Sequence, residues 1–147
     1  MLRPHDPIVG RTLRAVSELV LANSSYSGLE NIIVTGVSID SHQIEAGDLF
    51  VAVAGAKTHG ATYAGNAKLN GAIAVLTDEV GAALVTDLPV LVVADPRAKA
   101  GVISAWLHNE PMRDMFSVAV TGTNGKTTVT TLLHQIAMAA SRQSGLV

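Results

Sequence analysis

The 147-residue sequence contains no cysteine. That absence excludes disulfides, zinc-thiolate sites and thiol nucleophiles together, and it is compatible with a reducing compartment. Aromatic residues make up only 3%, so valine and alanine must carry the interior. Neither sign of charge dominates: ten Lys and Arg against twelve Asp and Glu leave a formal net charge of -2, with the basic residues scattered. The electrostatic footprint of a nucleic-acid binder, or of a protein drawn to an anionic membrane, is therefore missing. No apolar run approaches the length of a bilayer span. The N-terminus MLRPHDPIVGRTLR places prolines, an aspartate and arginines where a signal peptide needs an unbroken apolar core. His5, His42, His59, His108 and His134 show no paired ligand spacing, which argues against a histidine metal site. The expectation is a soluble cytoplasmic protein, with neither nucleic acid nor membrane as a partner.

What is present is 48% hydrophobic residues against 15% charged. This is the composition of an ordinary domain-sized α/β chain with buried strands, and not of a disordered tail. Leu13, Val16, Leu19 and Val20 fall at helical spacing between Arg11 and Ala22, and NSSYSG then stops the pattern. The β-branched run Asn31–Asp40 and the glycine-bounded run Gly47–Gly55 read as strands that could pair antiparallel. A helix is expected from Thr62 to Asn70, ended by Gly71, then buried strands at Ala72–Asp78 and Pro89–Asp95. Pro96 can open a further helix, on which Val102, Ile103, Ala105, Trp106 and Leu107 give a broad apolar face. The polar break HNEPMRDM, 108–115, marks a domain boundary before a fresh strand, Phe116–Val120. The expected architecture is a small N-terminal α/β domain with a partly parallel sheet, residues 1–110. The first strand, phosphate loop and helix of an incomplete P-loop NTPase-like domain follow, residues 111–147.

The segment VAVTGTNGKTTVTT, Val118–Thr131, carries the clearest chemistry. The common phosphate loop has glycines five positions apart, and Gly122 and Gly125 form a compressed variant. Its physical requirements are still met. Glycines admit backbone amides to phosphate oxygens, and a helix starting near Lys126 points the positive end of its dipole at the anion. Lys126 would pair with β- and γ-phosphates, and Thr127 or Thr128 would offer a hydroxyl to Mg²⁺. The alternative is a turn whose glycines only redirect the chain. Against that stands the β-branched run Thr127–Thr131 at the head of a helix, each residue costing several tenths of a kcal/mol relative to alanine, roughly 0.5.

TGTNGKTT resembles the phosphate loop of the Mur ligase family, ATP-dependent amino-acid ligases of peptidoglycan synthesis. DSHQIEAGDLFVAVAGAKTHGATYAGNAKLNGAIAVLTD, Asp40–Asp78, looks like the N-terminal UDP-binding domain of that family's UDP-N-acetylmuramoyl-tripeptide synthetases. LHNEPMRDMFSVAVTGTNGKTT resembles the family's junction between first and second domains. The resemblance implies ATP and Mg²⁺ as cofactors, with Gly122, Thr123, Asn124, Gly125, Lys126, Thr127 and Thr128 binding the nucleotide, Lys126 catalytic and Thr127 at the metal. It implies that Ile39 and Ser41 contact the uridine diphosphate of the substrate, with Ser41 matching the serine of an Asp-Ser-Arg motif. Ala56, Lys57 and Thr58 match a second nucleotide-contacting segment. Read without the family, Lys57 would be a solvated lysine and Ser41 a turn cap as readily as ligands.

Two positions depart from the family pattern: His42 stands where arginine is usual, and His59 where aspartate is frequent. The implied reaction phosphorylates the D-glutamate γ-carboxylate of UDP-N-acetylmuramoyl-L-alanyl-D-glutamate. The acyl phosphate is then attacked by the amine of meso-diaminopimelate or L-lysine, a step of cell-wall biogenesis on which cell shape and division depend. The family's remaining magnesium ligands, adenine site and amino-acid-recognition motif would follow Val147. The polypeptide is therefore expected to be cut short, to retain at most weak UDP-substrate binding, and to have no ligase activity alone. Leu132, Leu133, Ile136 and Ala140 would form an exposed apolar face able to drive self-association. Three rival readings are the related D-alanyl-D-alanine-adding ligase, a free-standing UDP-sugar-binding module and an unrelated phosphate-loop kinase.

Overall fold

A computed structural model of the protein describes residues 10–146. The chain divides into two compact units, one running to Arg113 and the other starting at Asp114.

In the first unit, strand β1 (Arg11–Thr12) leads directly into helix α1 (Leu13–Val20). Thr12 caps that helix, its hydroxyl accepting from the Ala15 amide at 3.2 Å. Leu21, at φ 56, ends it in the left-handed conformation. The apolar spacing seen in the sequence does bury Leu13, Val16 and Val20. At roughly 1.5–3 kcal/mol each, these three side chains hold the helix to the sheet.

The run Asn31–Asp40 is not one strand. It divides into a 3-10 turn (Leu29–Asn31), strand β2 (Ile33–Val34) and strand β3 (Gly36–Ser38). β2 pairs antiparallel with β1, whereas β3 pairs parallel with β4 (Asp48–Val51). The switch falls at Thr35, whose amide donates to the Gly47 carbonyl at 2.9 Å. The expected antiparallel pairing of 31–40 with 47–55 is therefore replaced by a parallel one. The connection 39–47 passes over one face of the sheet, where Ile44 is buried.

Strands β5 (Ala74–Thr77) and β6 (Val90–Val92) complete a four-stranded, all-parallel sheet of order β3-β4-β5-β6. Alternation along the strands separates two cores. Leu49, Val51, Ala74, Leu76 and Leu91 face α1 and helix α4 (Pro96–Leu107). Phe50, Ala52 and Val75 face Ile44 and helix α2 (Ala64–Leu69), which a 3-10 turn (Gly60–Tyr63) introduces. A short helix α3 (Glu79–Ala82) follows β5. The result is an α/β/α layering on a sheet whose two central strands, β4 and β5, are fully buried. Gly71, at φ 112, is required where helix α2 ends, because a β-carbon there would lie 2.7 Å from the Ala46 Cα.

Helix α4 starts as expected, with the Asp95 carboxylate accepting from the Ala98 amide at 3.0 Å and Pro96 in its first turn. Its buried face is narrower than the sequence suggests. Ile103 and Leu107 are buried and Trp106 is half-buried, but Val102 and Ala105 are exposed.

In the second unit, helix α5 (Lys126–Ala139) forms as expected. Residues 116–120 do not form the anticipated strand, and Phe116 is almost fully exposed. A strand needs a ladder partner, and no strand among the described residues pairs with this stretch.

Candidate functional site

Because β3 to β6 all run the same way, their carboxyl ends fall along one edge of the sheet, where open α/β sheets bind ligands. Ile39 and Ser41 follow β3, and Ala56, Lys57 and Thr58 follow its neighbour β4. The fold thus carries all five sequence-derived substrate positions in adjacent loops. Ile39 is 54% exposed, whereas Ser41 is buried at 7% and its main-chain carbonyl accepts from Asn70 Nδ2 at 2.8 Å. The turn between them is organised by Asp40, whose carboxylate accepts from the amide of exposed His42 at 2.9 Å.

Ala56, Lys57 and Thr58 form the exposed tip of a loop closed at its base by an antiparallel bridge between Ala54 and His59. The Gly60 amide donates to the Val53 carbonyl at 2.8 Å, which tightens the closure. His59, with no partner assigned from the sequence, proves to be tied at both ring nitrogens. Nδ1 accepts from the Ala61 amide at 3.0 Å, so the proton sits on Nε2 and is donated to Asp78 Oδ1 at 3.1 Å. Asp78 in turn caps α3 by accepting from the Gly81 amide at 2.8 Å. That amide is the main cause of the Asp78 carboxyl lying below its ordinary value. Partial burial pushes the other way, and the His59 hydrogen bond adds to the lowering. Sequence reasoning missed Asp78, although an aspartate ahead of Glu-Val-Gly at a strand end is a legible cap signal.

The second unit holds the other predicted set. Gly122, Thr123, Asn124 and Gly125 form an exposed loop leading into α5, with Gly122 at φ 152 and Gly125 at φ 80. Only residues free of a β-carbon penalty adopt these conformations readily. Gly125 provides no side-chain cap, so the first-turn amides of Lys126, Thr127 and Thr128 have no intrahelical acceptor. Lys126 Nζ donates to the Gly122 carbonyl at 2.7 Å, folding the ammonium back over the loop. Amide donors, a helix N-terminus and a lysine at one exposed turn fit a phosphate group. Among the described residues no group of three His, Cys, Asp or Glu could hold a metal ion. A threonine hydroxyl such as that of Thr127 is what the loop offers Mg²⁺, which commonly takes its other ligands from water and phosphate.

A family model described as "Mur ligase family, catalytic domain" matches residues 33–109. A UDP-N-acetylmuramoyl-L-alanyl-D-glutamate--2,6-diaminopimelate ligase of Streptomyces avermitilis is 45% identical over 116 residues, covering 78% of this chain and 23% of that protein. A UDP-N-acetylmuramyl-tripeptide synthetase of Leifsonia xyli subsp. xyli is 44% identical over 139 residues, covering 92% and 26%. The chain spans about a quarter of the length of these curated relatives. Among solved structures, MurF from Acinetobacter baumannii superposes with a TM-score of 0.68 over 91% of this chain and 29% of that one. At 22% identity that likeness shows the fold alone. A UDP-N-acetylmuramoyl-L-alanyl-D-glutamate--2,6-diaminopimelate ligase gives a TM-score of 0.61 at 25% identity, over 90% of this chain and 26% of that one. With its parallel α/β sheet and a family model covering more than half of its length, the chain belongs to the Mur ligase family.

Proposed function

We propose that this chain is the N-terminal, UDP-substrate-recognising portion of an ATP-dependent ligase that adds a diamino acid to UDP-N-acetylmuramoyl-L-alanyl-D-glutamate. The observation that carries the reading is the 44% identity to a tripeptide synthetase over 139 residues, which takes in both the sheet-edge loops and the phosphate loop. The names of several relatives favour 2,6-diaminopimelate over L-lysine as the amino acid. The D-alanyl-D-alanine-adding alternative rests on likeness of fold, and the sequence relatives favour it less.

In this reading Ile39, Ser41 and the tip Ala56–Thr58 hold the uridine diphosphate. Lys57 supplies a cation to the diphosphate, and the half-hidden Ser41 supplies a hydroxyl or orients the turn beside it. Gly122 to Thr128 cradle the phosphates of ATP, Lys126 neutralises charge developing on the transferred group, and Thr127 faces Mg²⁺. Bound Mg-ATP would supply the phosphoryl group that activates the carboxylate. Among the described residues no group of three His, Cys, Asp or Glu could hold a metal ion, which supports a chain that alone binds the UDP substrate weakly and turns over no ATP.

The use of ATP and a nucleotide-linked substrate supports a cytoplasmic reaction. Among the described residues no helix is long and apolar enough to cross a membrane. Leu132, Leu133 and Ile136 are exposed on α5, which supports concentration-dependent self-association.

Titration of isotope-labelled chain with UDP-N-acetylmuramoyl dipeptide tests the proposal. Amide shifts should move at 39–41 and 56–58 with sub-millimolar to millimolar affinity. Saturating substrate that leaves both loops unmoved would overturn it.

A further inference from the structure

Thr58 is followed by a histidine whose ring is fixed on three sides. Its Nδ1 accepts from the Ala61 amide at 3.0 Å and its Nε2 donates to Asp78 Oδ1 at 3.1 Å. A β-carbon at Gly81 would overlap ring atom Cε1, so Gly81 forms the floor of the slot. The His59 side chain is only 11% exposed and that of Asp78 25%. The backbone of His59 is pinned as well: it bridges to Ala54, and its carbonyl accepts from Thr62 Oγ1 at 2.8 Å. Beneath the slot, Thr77 Oγ1 donates to the Ala52 carbonyl at 2.9 Å, joining the exits of β4 and β5.

We infer that His59 is a positioning residue for substrate recognition: it bridges the Ala61 amide and Asp78, and so locks the loop 54–58 onto the exit of strand β5. The inference rests on the proposed contact of Ala56–Thr58 with the UDP substrate. That tip is exposed, and the loop base depends on the closure at Ala54 and His59. A loop ordered before binding does not lose that entropy on binding, which is how a buried ring touching no ligand can set affinity. The side chain reaches both anchors only as the neutral Nε2–H tautomer. Its two halves can therefore be removed separately. Asparagine places an acceptor where Nδ1 stands and keeps the cap on Ala61, whereas glutamine reaches toward Asp78 and abandons the cap.

The test compares the full chain with His59→Ala, His59→Asn, His59→Gln and Asp78→Asn. UDP and UDP-N-acetylmuramoyl dipeptide are the probes, and thermal stability is measured in parallel. Ile103→Val, on the opposite core, serves as a control that lowers stability without touching the loop. His59→Ala should weaken dipeptide binding by about tenfold, because the loop then has to be ordered on binding. His59→Asn and His59→Gln should each recover part of that loss, Asp78→Asn should resemble His59→Asn, and Ile103→Val should bind as wild type. Wild-type binding at 56–58 with His59→Ala inside twofold of it would overturn the inference and leave the proposed function standing. Equal weakening by Ile103→Val would overturn it too, since affinity would then follow stability. No wild-type response at 56–58 would remove the underlying reading, and the inference with it.

Discussion

Gly81 lies flat against Thr77: a β-carbon at position 81 would overlap Thr77 Oγ1, which is itself fully buried and bonded to the Ala52 carbonyl at 2.9 Å. Alanine would gain up to about 1 kcal/mol of helix propensity at this site. Overpacking a buried position costs roughly 1–3 kcal/mol, and a threonine already committed to a hydrogen bond has no room to retreat. Gly81→Ala should therefore be destabilised by about 1–2 kcal/mol, read as a lower urea midpoint with unchanged slope. An unchanged midpoint would show that the slot is looser than this geometry.

Asp78 sets a pH dependence. Its carboxyl is held below the ordinary 3.8, first by the Gly81 amide. A depressed carboxylate contributes stability that is fully present above the unfolded value and is lost as pH falls through the folded one. Thermal stability should thus hold steady above about pH 5 and decline below about pH 4. Asp78→Asn should be less stable near neutrality and should show a shallower acid decline. Parallel acid limbs in the two proteins would contradict the assignment.

Arg11 clamps the first strand to the last helix of its unit. Its guanidinium stacks 4.9 Å from the Trp106 ring centre, and Nη2 donates to Asn109 Oδ1 at 3.0 Å. Arg11→Ala should cost about 1–2 kcal/mol from the lost stacking, hydrogen bond and stem packing. Arg11→Lys should recover less than half, because an ammonium cannot reproduce the flat stack together with the fork. Among the described residues the buried Nε has no hydrogen-bond partner, which keeps the expected cost at the lower end of charged interactions. Denaturant melts of the two variants decide between these outcomes.

Lys126 and the amides at the head of α5 are the proposed anion cradle. Adding Mg-ATP to labelled chain should shift amides 122–128, with Lys126→Ala weakening the response about tenfold through loss of a charge-assisted contact. Helix α5 should persist in that variant, since alanine is the better helix former. Shifts of equal size in both proteins would remove the lysine from the phosphate site.

Much of the fold was legible because local signals agreed with tertiary packing. Helices α1 and α4 combine apolar spacing with caps at Thr12 and Asp95, and both formed where expected. Strands β4 and β5 are mostly apolar, and every residue in them is buried, Asp48 and Thr77 included. The failures share a cause. Residues 31–40 read as one β-branched run, but β1 pairs with 33–34 and β4 with 36–38, so the run breaks at Thr35. Val102 and Ala105 belong to an apolar helix face, yet the sheet and α1 cover only the Ile103–Leu107 stripe.

The sequence by itself determined the parts that depend on neighbours along the chain: the caps, the glycine turns, the phosphate loop Gly122–Thr128 and the motif positions Ile39, Ser41 and Ala56–Thr58. Tertiary structure alone decided which strands pair, that β3 and β4 run parallel, and that Ser41 turns inward while Ile39 stays out. It also decided that His59 meets Asp78, a pair 19 residues apart with all of β5 between them. Such a contact has no periodicity to read. It exists because the parallel ladder of β4 with β5 brings two strand exits side by side, where one imidazole can reach across.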